Sequence, residues 1–254
     1  MYKYFYKKIH YKYLKNKLQI EEILKLKNKY SHLKNTPYQG LSKKHRNYFR
    51  KIKILRKDIS VLKYTDYNRQ LKRAFEIYFL IQKNFKNYKS ILDLGCGVGY
   101  FLYINKYFKK EAFGIDWYKS NKYYNENSIE FIKEYNKILD IKPINYKINN
   151  NFNPKIIKKF DLITAFSANF DGVYKNRYKF KPWSYDEYEM FFKKIKNYLK
   201  PGGKFFIKFN SKWEYKQNFI INNQFKKHLI KKKMWYGNGI ITNLTPTKDL
   251  IKYF

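Results

Sequence analysis

Two aspartates and three glycines frame the part of this sequence that could do chemistry. Asp93 lies in the short apolar run Ser90-Ile91-Leu92-Asp93-Leu94, and Gly95, Gly97 and Gly99 follow at alternate positions, with Cys96 and Val98 between them. Asp116 closes the next apolar run, Ala112-Phe113-Gly114-Ile115. Glycine turns sharply and brings the backbone close to a ligand with no Cβ in the way. A turn at the carboxyl end of a strand stands where open α/β sheets bind ligands, and an acid after the following strand can accept hydrogen bonds from both hydroxyls of a ribose. The pattern therefore points to a nucleoside. A dinucleotide site wants G-x-G-x-x-G, but here the third glycine comes two positions after the second and Tyr100 follows it; G-x-x-x-x-G-K-[ST] is absent. Asp93 would repel a diphosphate. It suits a cationic ligand end, such as an ammonium or a sulfonium.

The elements that must hold these residues alternate in type. Strands are expected over Ser90–Leu94, Ala112–Ile115, Ile144–Ile148, Phe160–Phe166 and Phe205–Phe209, with helices over Tyr100–Phe108 and Ile129–Leu139 between the early ones. Ser184-Tyr185-Asp186-Glu187 reads as a capping box opening a helix that runs to Leu199 and stops at Pro201-Gly202-Gly203. A last helix is expected around 222–234 and a hairpin-like segment over Trp235–Ile241. Strands spaced by helices imply crossover connections and a mostly parallel sheet. Ahead of them, Leu71, Phe75, Tyr78 and Phe79 recur at helical spacing from about 66 to 86, and residues 1–62 read as a basic helical extension broken by a loop at Asn35–Gly40, with a further helix over 43–57. The expected division is 1–62 and 63–254.

Composition sets outer bounds. The chain has 254 residues, enough for one medium α/β domain plus an extension. One cysteine rules out a disulfide scaffold and a multi-cysteine zinc site, and a reducing cytoplasm is the simplest home. Lysines interrupt every short apolar run at the start, unlike a signal peptide, and no long apolar stretch suits a membrane span. The net charge of +37 suggests a polyanion partner. Only Arg46, Arg50, Arg56, Arg69, Arg73 and Arg177 are arginines, however. Lys, Asn, Ile, Tyr and Phe, all with AT-rich codons, dominate, so codon drift explains much of the charge.

Leu92-Asp93-Leu94-Gly95-Cys96-Gly97-Val98-Gly99 resembles the first motif of the class I S-adenosyl-L-methionine-dependent methyltransferases. Gly114-Ile115-Asp116 resembles their ribose-binding motif, Phe160–Ile163 their fourth strand, and Leu199–Gly203 with Phe205–Ile207 the turn into their fifth, all in the family's order over roughly 66–245. The resemblance implies a Rossmann-like, doubly wound, mostly parallel sheet of seven strands with helices on both faces. It implies S-adenosyl-L-methionine held by Asp93, Gly95, Cys96, Gly97, Gly99, Asp116, Trp117, Asn149, Asn150 and Phe166. Here a run of amides, Asn149-Asn150-Asn151, replaces the acidic or polar residue often found after the third strand. Trp117 is a candidate to lean on adenine or simply a packed aromatic.

The acceptor is narrowed by absences. Ser167-Ala168-Asn169-Phe170 lacks the prolines of amino-directed DNA methyltransferases, Cys96 is in the wrong place for cytosine-C5 chemistry, and Phe166 stands where the common ribose 2'-O enzymes carry Asp. Small molecules, glycans, protein side chains and less usual RNA sites remain. Asp171 and Asn169, in the loop after the fourth strand, are the catalytic candidates, and no metal is implied. The loop over 167–184, rich in aromatics, is a candidate lid. A small-molecule or glycan acceptor is the first expectation. The alternatives are an RNA methyltransferase anchored by the basic arm, and a non-catalytic cofactor-binding partner subunit.

Overall fold

The computed structural model describes residues 2–32, 61–85, 87–118, 126–166, 185–208 and 239–242. The helices expected over 43–57 and 222–234, Ser184 of the capping box and the 167–184 loop lie outside the described residues. The elements in chain order are α1 (Tyr2–Asn16), α2 (Ile20–Lys29), a 3-10 turn (Val61–Thr65), α3 (Tyr67–Asn84), β1 (Ser90–Leu94), α4 (Tyr100–Tyr107), β2 (Glu111–Asp116), α5 (Glu126–Ile138), β3 (Ile144–Asn145), β4 (Phe160–Phe166), α6 (Tyr185–Lys196), β5 (Leu199–Lys208) and β6 (Gly239–Thr242). The chain divides into two compact units. One comprises Met1–Asn87, Gly97–Lys110 and Tyr118–Pro143; the other comprises Tyr88–Cys96, Glu111–Trp117 and Ile144–Phe254. No helix among the described residues is long and apolar enough to cross a membrane.

The second unit holds the sheet. Its order is β3-β2-β1-β4-β5-β6, and every pairing is parallel. The order reverses direction between β1 and β4, which makes that boundary the topological switch point where doubly wound sheets bind ligands. Because both neighbours of β1 run the same way, all five of its residues are buried, as expected for an inner parallel strand. Leu92, Leu94, Ile163, Ala165 and Phe205 from the strands pack with Phe191, Phe192 and Ile195 of α6 and with Phe152. Phe152 meets Phe191 and Tyr198 edge-on at 5.8 and 5.3 Å. Edge-to-face contacts suit the ring quadrupoles and add to the area term.

Two expectations change. The described residues form six strands; of the segment expected to be hairpin-like, Gly239–Ile241 belongs to β6, parallel to β5, and Trp235–Asn238 lies outside the described residues. The third strand is only Ile144–Asn145: the Tyr146 N–H still reaches the Asp116 carbonyl at 2.9 Å, but beyond it the chain curls so that the Asn153 N–H donates to the Tyr146 hydroxyl at 2.8 Å. Pro201-Gly202-Gly203 is no turn ahead of the fifth strand; it lies within β5 as an irregularity in the pairing with β4. A Cβ on Gly203 would stand 2.9 Å from the Lys200 carbonyl and 3.0 Å from that of Phe160, so the close backbone approach there requires glycine.

The first unit is helical. Asp66 caps α3 by accepting from the Arg69 N–H at 3.3 Å, and Leu71, Phe75, Tyr78 and Ile81 give the helix a buried stripe. Tyr78 stacks on Phe108 at 4.3 Å, 7° from parallel. The N-terminal helices are tied in by specific contacts: His10 Nδ1 lies 3.0 Å from the Tyr107 hydroxyl, Leu14 and Ile23 are fully buried, and Lys29 Nζ and the Tyr30 hydroxyl both donate to Glu134 Oε1 at 2.7 Å.

In the sheet unit, Asp161 of β4 clasps the start of β1. Its Oδ2 accepts from the Ser90 hydroxyl and N–H, both at 2.8 Å, and from the Lys89 N–H at 3.0 Å, while Lys200 Nζ stands 3.0 Å from Oδ1. Partial burial opposes the charged form, but these donors outweigh it and hold the carboxyl at about 2, below its ordinary value of 3.8. A depressed carboxyl contributes stability that is present above its unfolded value and lost as pH falls through the folded one. Asp161→Ala should therefore lower unfolding free energy by roughly 1–3 kcal/mol at neutral pH, with the gap from wild type closing towards about pH 2. Denaturant unfolding across that range measures it; a gap that does not depend on pH would contradict the clasp.

Candidate active site

The carboxyl ends of β1, β2 and β4 meet at the switch point of the sheet unit, and the acidic residues singled out in the sequence stand there. Asp93 pairs in register with Gly114 of β2 and Thr164 of β4. It is 5% exposed, and Thr164, itself fully buried, donates its hydroxyl to Asp93 Oδ1 at 2.6 Å. Burial is the main influence on this carboxyl. The Asp116 charge adds to it and the Thr164 bond opposes it, with the net effect that Asp93 is pushed from 3.8 to about 7. Asp116 is the last residue of β2, and its Oδ1 accepts from the Trp117 N–H at 2.7 Å, which orients the carboxylate.

The turn after β1 is anchored by its backbone. The N–H groups of Gly95 and Cys96 both donate to the Ile115 carbonyl, at 2.8 and 3.1 Å. This bifurcated hold fixes the exit of β1 against the end of β2. The Cys96 thiol is raised well above its ordinary value by burial first, then by the charges of Asp116 and Asp93. It is a protonated, small, soft side chain and no nucleophile.

Trp117 carries Lys147 Nζ over its ring at 4.8 Å from the centroid, so part of its surface is already engaged by a cation. Asn149 is exposed, whereas Asn150 is half-buried and donates Nδ2 to Glu187 Oε1 of α6 at 3.3 Å. Phe166 ends β4, paired with Lys208 of β5. Asn169 and Asp171 lie outside the described residues.

Gly97 and Gly99 belong to the helical unit. Gly95, Gly97 and Gly99 take φ of 70°, 58° and 88°. Gly99 is the N-cap of α4, and a Cβ there would fall 2.9 Å from Ile141 side-chain carbons, so its glycine is required by packing as much as by φ.

Two participants were missed in the sequence. Thr164 sits in β4 within the apolar run that follows Asp161, and its only signal is a hydroxyl in register with Asp93; threonine is common in strands, so the residue alone says little. Glu187 was read only as the N3 member of a capping box, yet its carboxylate faces Asn150.

No protein-family model matches the chain, and no curated protein matches it. Among solved structures, the PH0226 protein from Pyrococcus horikoshii OT3 is similar at 22% identity over 66% of this chain and 62% of its own, with a TM-score of 0.41. An S-adenosylmethionine-dependent methyltransferase from Clostridium acetobutylicum ATCC 824 is similar at 22% identity over 62% and 55%, with a TM-score of 0.36. CalS10, an amino pentose methyltransferase from Micromonospora echinaspora, is similar at 14% identity over 55% and 52%, with a TM-score of 0.36. The chain spans between half and two thirds of the length of these structures.

Asp93 yields a stability test of known sign. Its folded value is raised, so its contribution is fully present below about pH 4 and lost as pH rises through about 7. Comparing Asp93→Asn with wild type removes the other titrations. The variant should gain on wild type as pH climbs through that window, by at most about 4 kcal/mol above pH 7. Equal pH dependence in the two proteins would mean that Asp93 is not held in a dry site.

Proposed function

We propose that this chain is a class I S-adenosylmethionine-dependent methyltransferase acting on a small-molecule or glycan-type acceptor. One observation carries the reading: Asp93 and Asp116 stand at the carboxyl ends of adjacent parallel strands, at the switch point of the sheet, where β1 leaves into a turn whose glycines take positive φ. A pair of carboxylates there complements a cation and opposes a diphosphate, which fits a sulfonium-bearing nucleoside better than a dinucleotide.

In this reading Asp116, already oriented by the Trp117 N–H, receives the ribose hydroxyls. Asp93, with Thr164 on Oδ1, gives the end of β1 its negative potential. Gly95, Cys96, Gly97 and Gly99 supply bare backbone. Trp117, Asn149, Asn150 and Phe166 make up the adenine side. S-adenosylmethionine, when bound, supplies a methyl group already activated by its positive sulfur. The protein's main task is then to align the acceptor and keep water out. Asn169 and Asp171 follow β4 and are the residues assigned to the acceptor; Asp171 takes a proton where the acceptor must lose one early.

A second reading, an RNA acceptor, is favoured by one feature. Helix α1 has no acidic residue and exposes Tyr6 and Tyr13, at 47% and 49%, among lysines. Binding that weakens steeply with salt and is lost when Lys7, Lys8 and Lys12 are changed together to Gln would support it.

The first reading is tested by offering methyl-labelled S-adenosylmethionine with fractionated cell extract; label should enter a low-mass fraction, and entry into RNA would move the assignment to the second. Asp116→Ala should weaken S-adenosylmethionine binding by roughly tenfold or more, because a charged acceptor of ribose hydroxyls is lost. Calorimetry that finds equal affinity would remove Asp116 from the site.

A further inference from the structure

We propose that Asn136 is a positioning residue for the glycine-rich turn, holding it to the segment that follows Asp116. The geometry lies within the helical unit, and its functional weight rests on the cofactor reading above. Asn136 is in α5 and is 3% exposed. Its Nδ2 donates to the Gly97 carbonyl at 3.1 Å, and its Oδ1 accepts from the Tyr118 hydroxyl at 2.9 Å. Donating to a carbonyl while accepting from a hydroxyl needs an amide; a carboxylate or an aliphatic side chain of the same size does one or neither.

The rest of the helix shows that this polar group is not there for packing. Ile129, Phe131, Ile132 and Tyr135 are the large buried apolar and aromatic side chains of the helix, and a leucine at 136 would extend that set without a polar group to satisfy. What the amide adds is a grip on Gly97. From another side the same glycine is hemmed by Tyr64: a Cβ on Gly97 would lie 3.4 Å from the Tyr64 hydroxyl. Tyr64 is itself held at its carbonyl, which lies 3.1 and 3.0 Å from the hydroxyls of Tyr100 and Tyr135; those two also bond to each other, so one hydroxyl donates to the carbonyl and the other to its neighbour. Gly97 is thus held at its carbonyl and bounded over its Cα.

The other arm reaches Tyr118, two residues along the chain from Asp116. A single buried amide therefore fixes one point in the turn after β1 and one point just past β2. Those are the two chain segments to which the cofactor reading gives the bare backbone and the acid that receives the ribose hydroxyls. Loosening Asn136 should blur both at once, while the carboxylates themselves are untouched.

The test uses the full chain and three variants. Asn136→Asp keeps the size and the acceptor for Tyr118 but loses the donor to Gly97; Asn136→Leu loses both; Tyr118→Phe removes one hydroxyl. Amide hydrogen exchange of the unliganded proteins is followed in the peptide covering 95–101, with α3 as the internal reference, beside calorimetric titration with S-adenosylmethionine. In Asn136→Asp the turn should exchange roughly tenfold faster while α3 is unchanged, and affinity should fall roughly tenfold. Tyr118→Phe should shift both in the same direction by a smaller factor. The proposal is overturned if the turn exchanges as in wild type in every variant, or if exchange rises equally in α3 and the turn, which marks a general loss of stability. Should the Asn136 variants fail to fold, Tyr118→Phe decides alone by the same criterion. If wild type binds no S-adenosylmethionine, the cofactor reading fails, and the exchange measurement still decides the role of Asn136.

Discussion

A carboxyl group buried within a sheet governs the arrangement. Taking a charge out of water costs several kcal/mol unless it is paired or neutralised. Asp93 meets this constraint with one strong donor, Thr164, and with a proton affinity raised to about 7. The second carboxylate, Asp116, raises it further rather than relieving it. Two acids so placed work against the stability of the fold.

Parallel pairing puts the carboxyl ends of β1 and β2 at one border, and with Asp93 in register with Gly114, Asp116 lies two positions further along β2 on the same face of the sheet. The opposite border shows the contrast. There Asp161 is surrounded by donors from Ser90, Lys89 and Lys200, and its carboxyl is held below its ordinary value. One sheet thus carries two aspartates shifted in opposite directions. The difference is in their partners: among the described residues, Asp161 has four donors and Asp93 one.

Much of this was legible in the residues. Short apolar runs ending in Asp93 and Asp116 marked β1 and β2, and the run Phe160–Phe166 became β4 without change. The helix Tyr67–Asn84 followed from its 3.6-residue stripe, whereas its cap at Asp66 came only with the structure. What could not be read was long-range. Pro201-Gly202-Gly203 has the local chemistry of a turn, but pairing with β4 on both sides, at Leu199 and again from Lys204 after a shift of register, makes it an irregularity inside β5. Ile144–Ile148 alternates like a strand, but the hydroxyl of Tyr146 captures the Asn153 N–H and the chain bends away. Thr164 and Asn136 matter through partners 71 and 39 residues distant, and a residue type alone carries no record of such partners.

The brevity of β3 has a consequence for life in a crowded solution. A chain that is 21% aromatic has many segments able to stick to one another as extended backbone. Among the described residues, the sheet border nearest β2 presents only Ile144 and Asn145 as strand, one half-buried and one exposed. A template two residues long offers an incoming strand few amides and carbonyls to pair with, and the bend at Tyr146 removes the rest. Truncation at this margin limits sheet-to-sheet pairing, and Pro143, which has no N–H to donate, stands immediately before the strand.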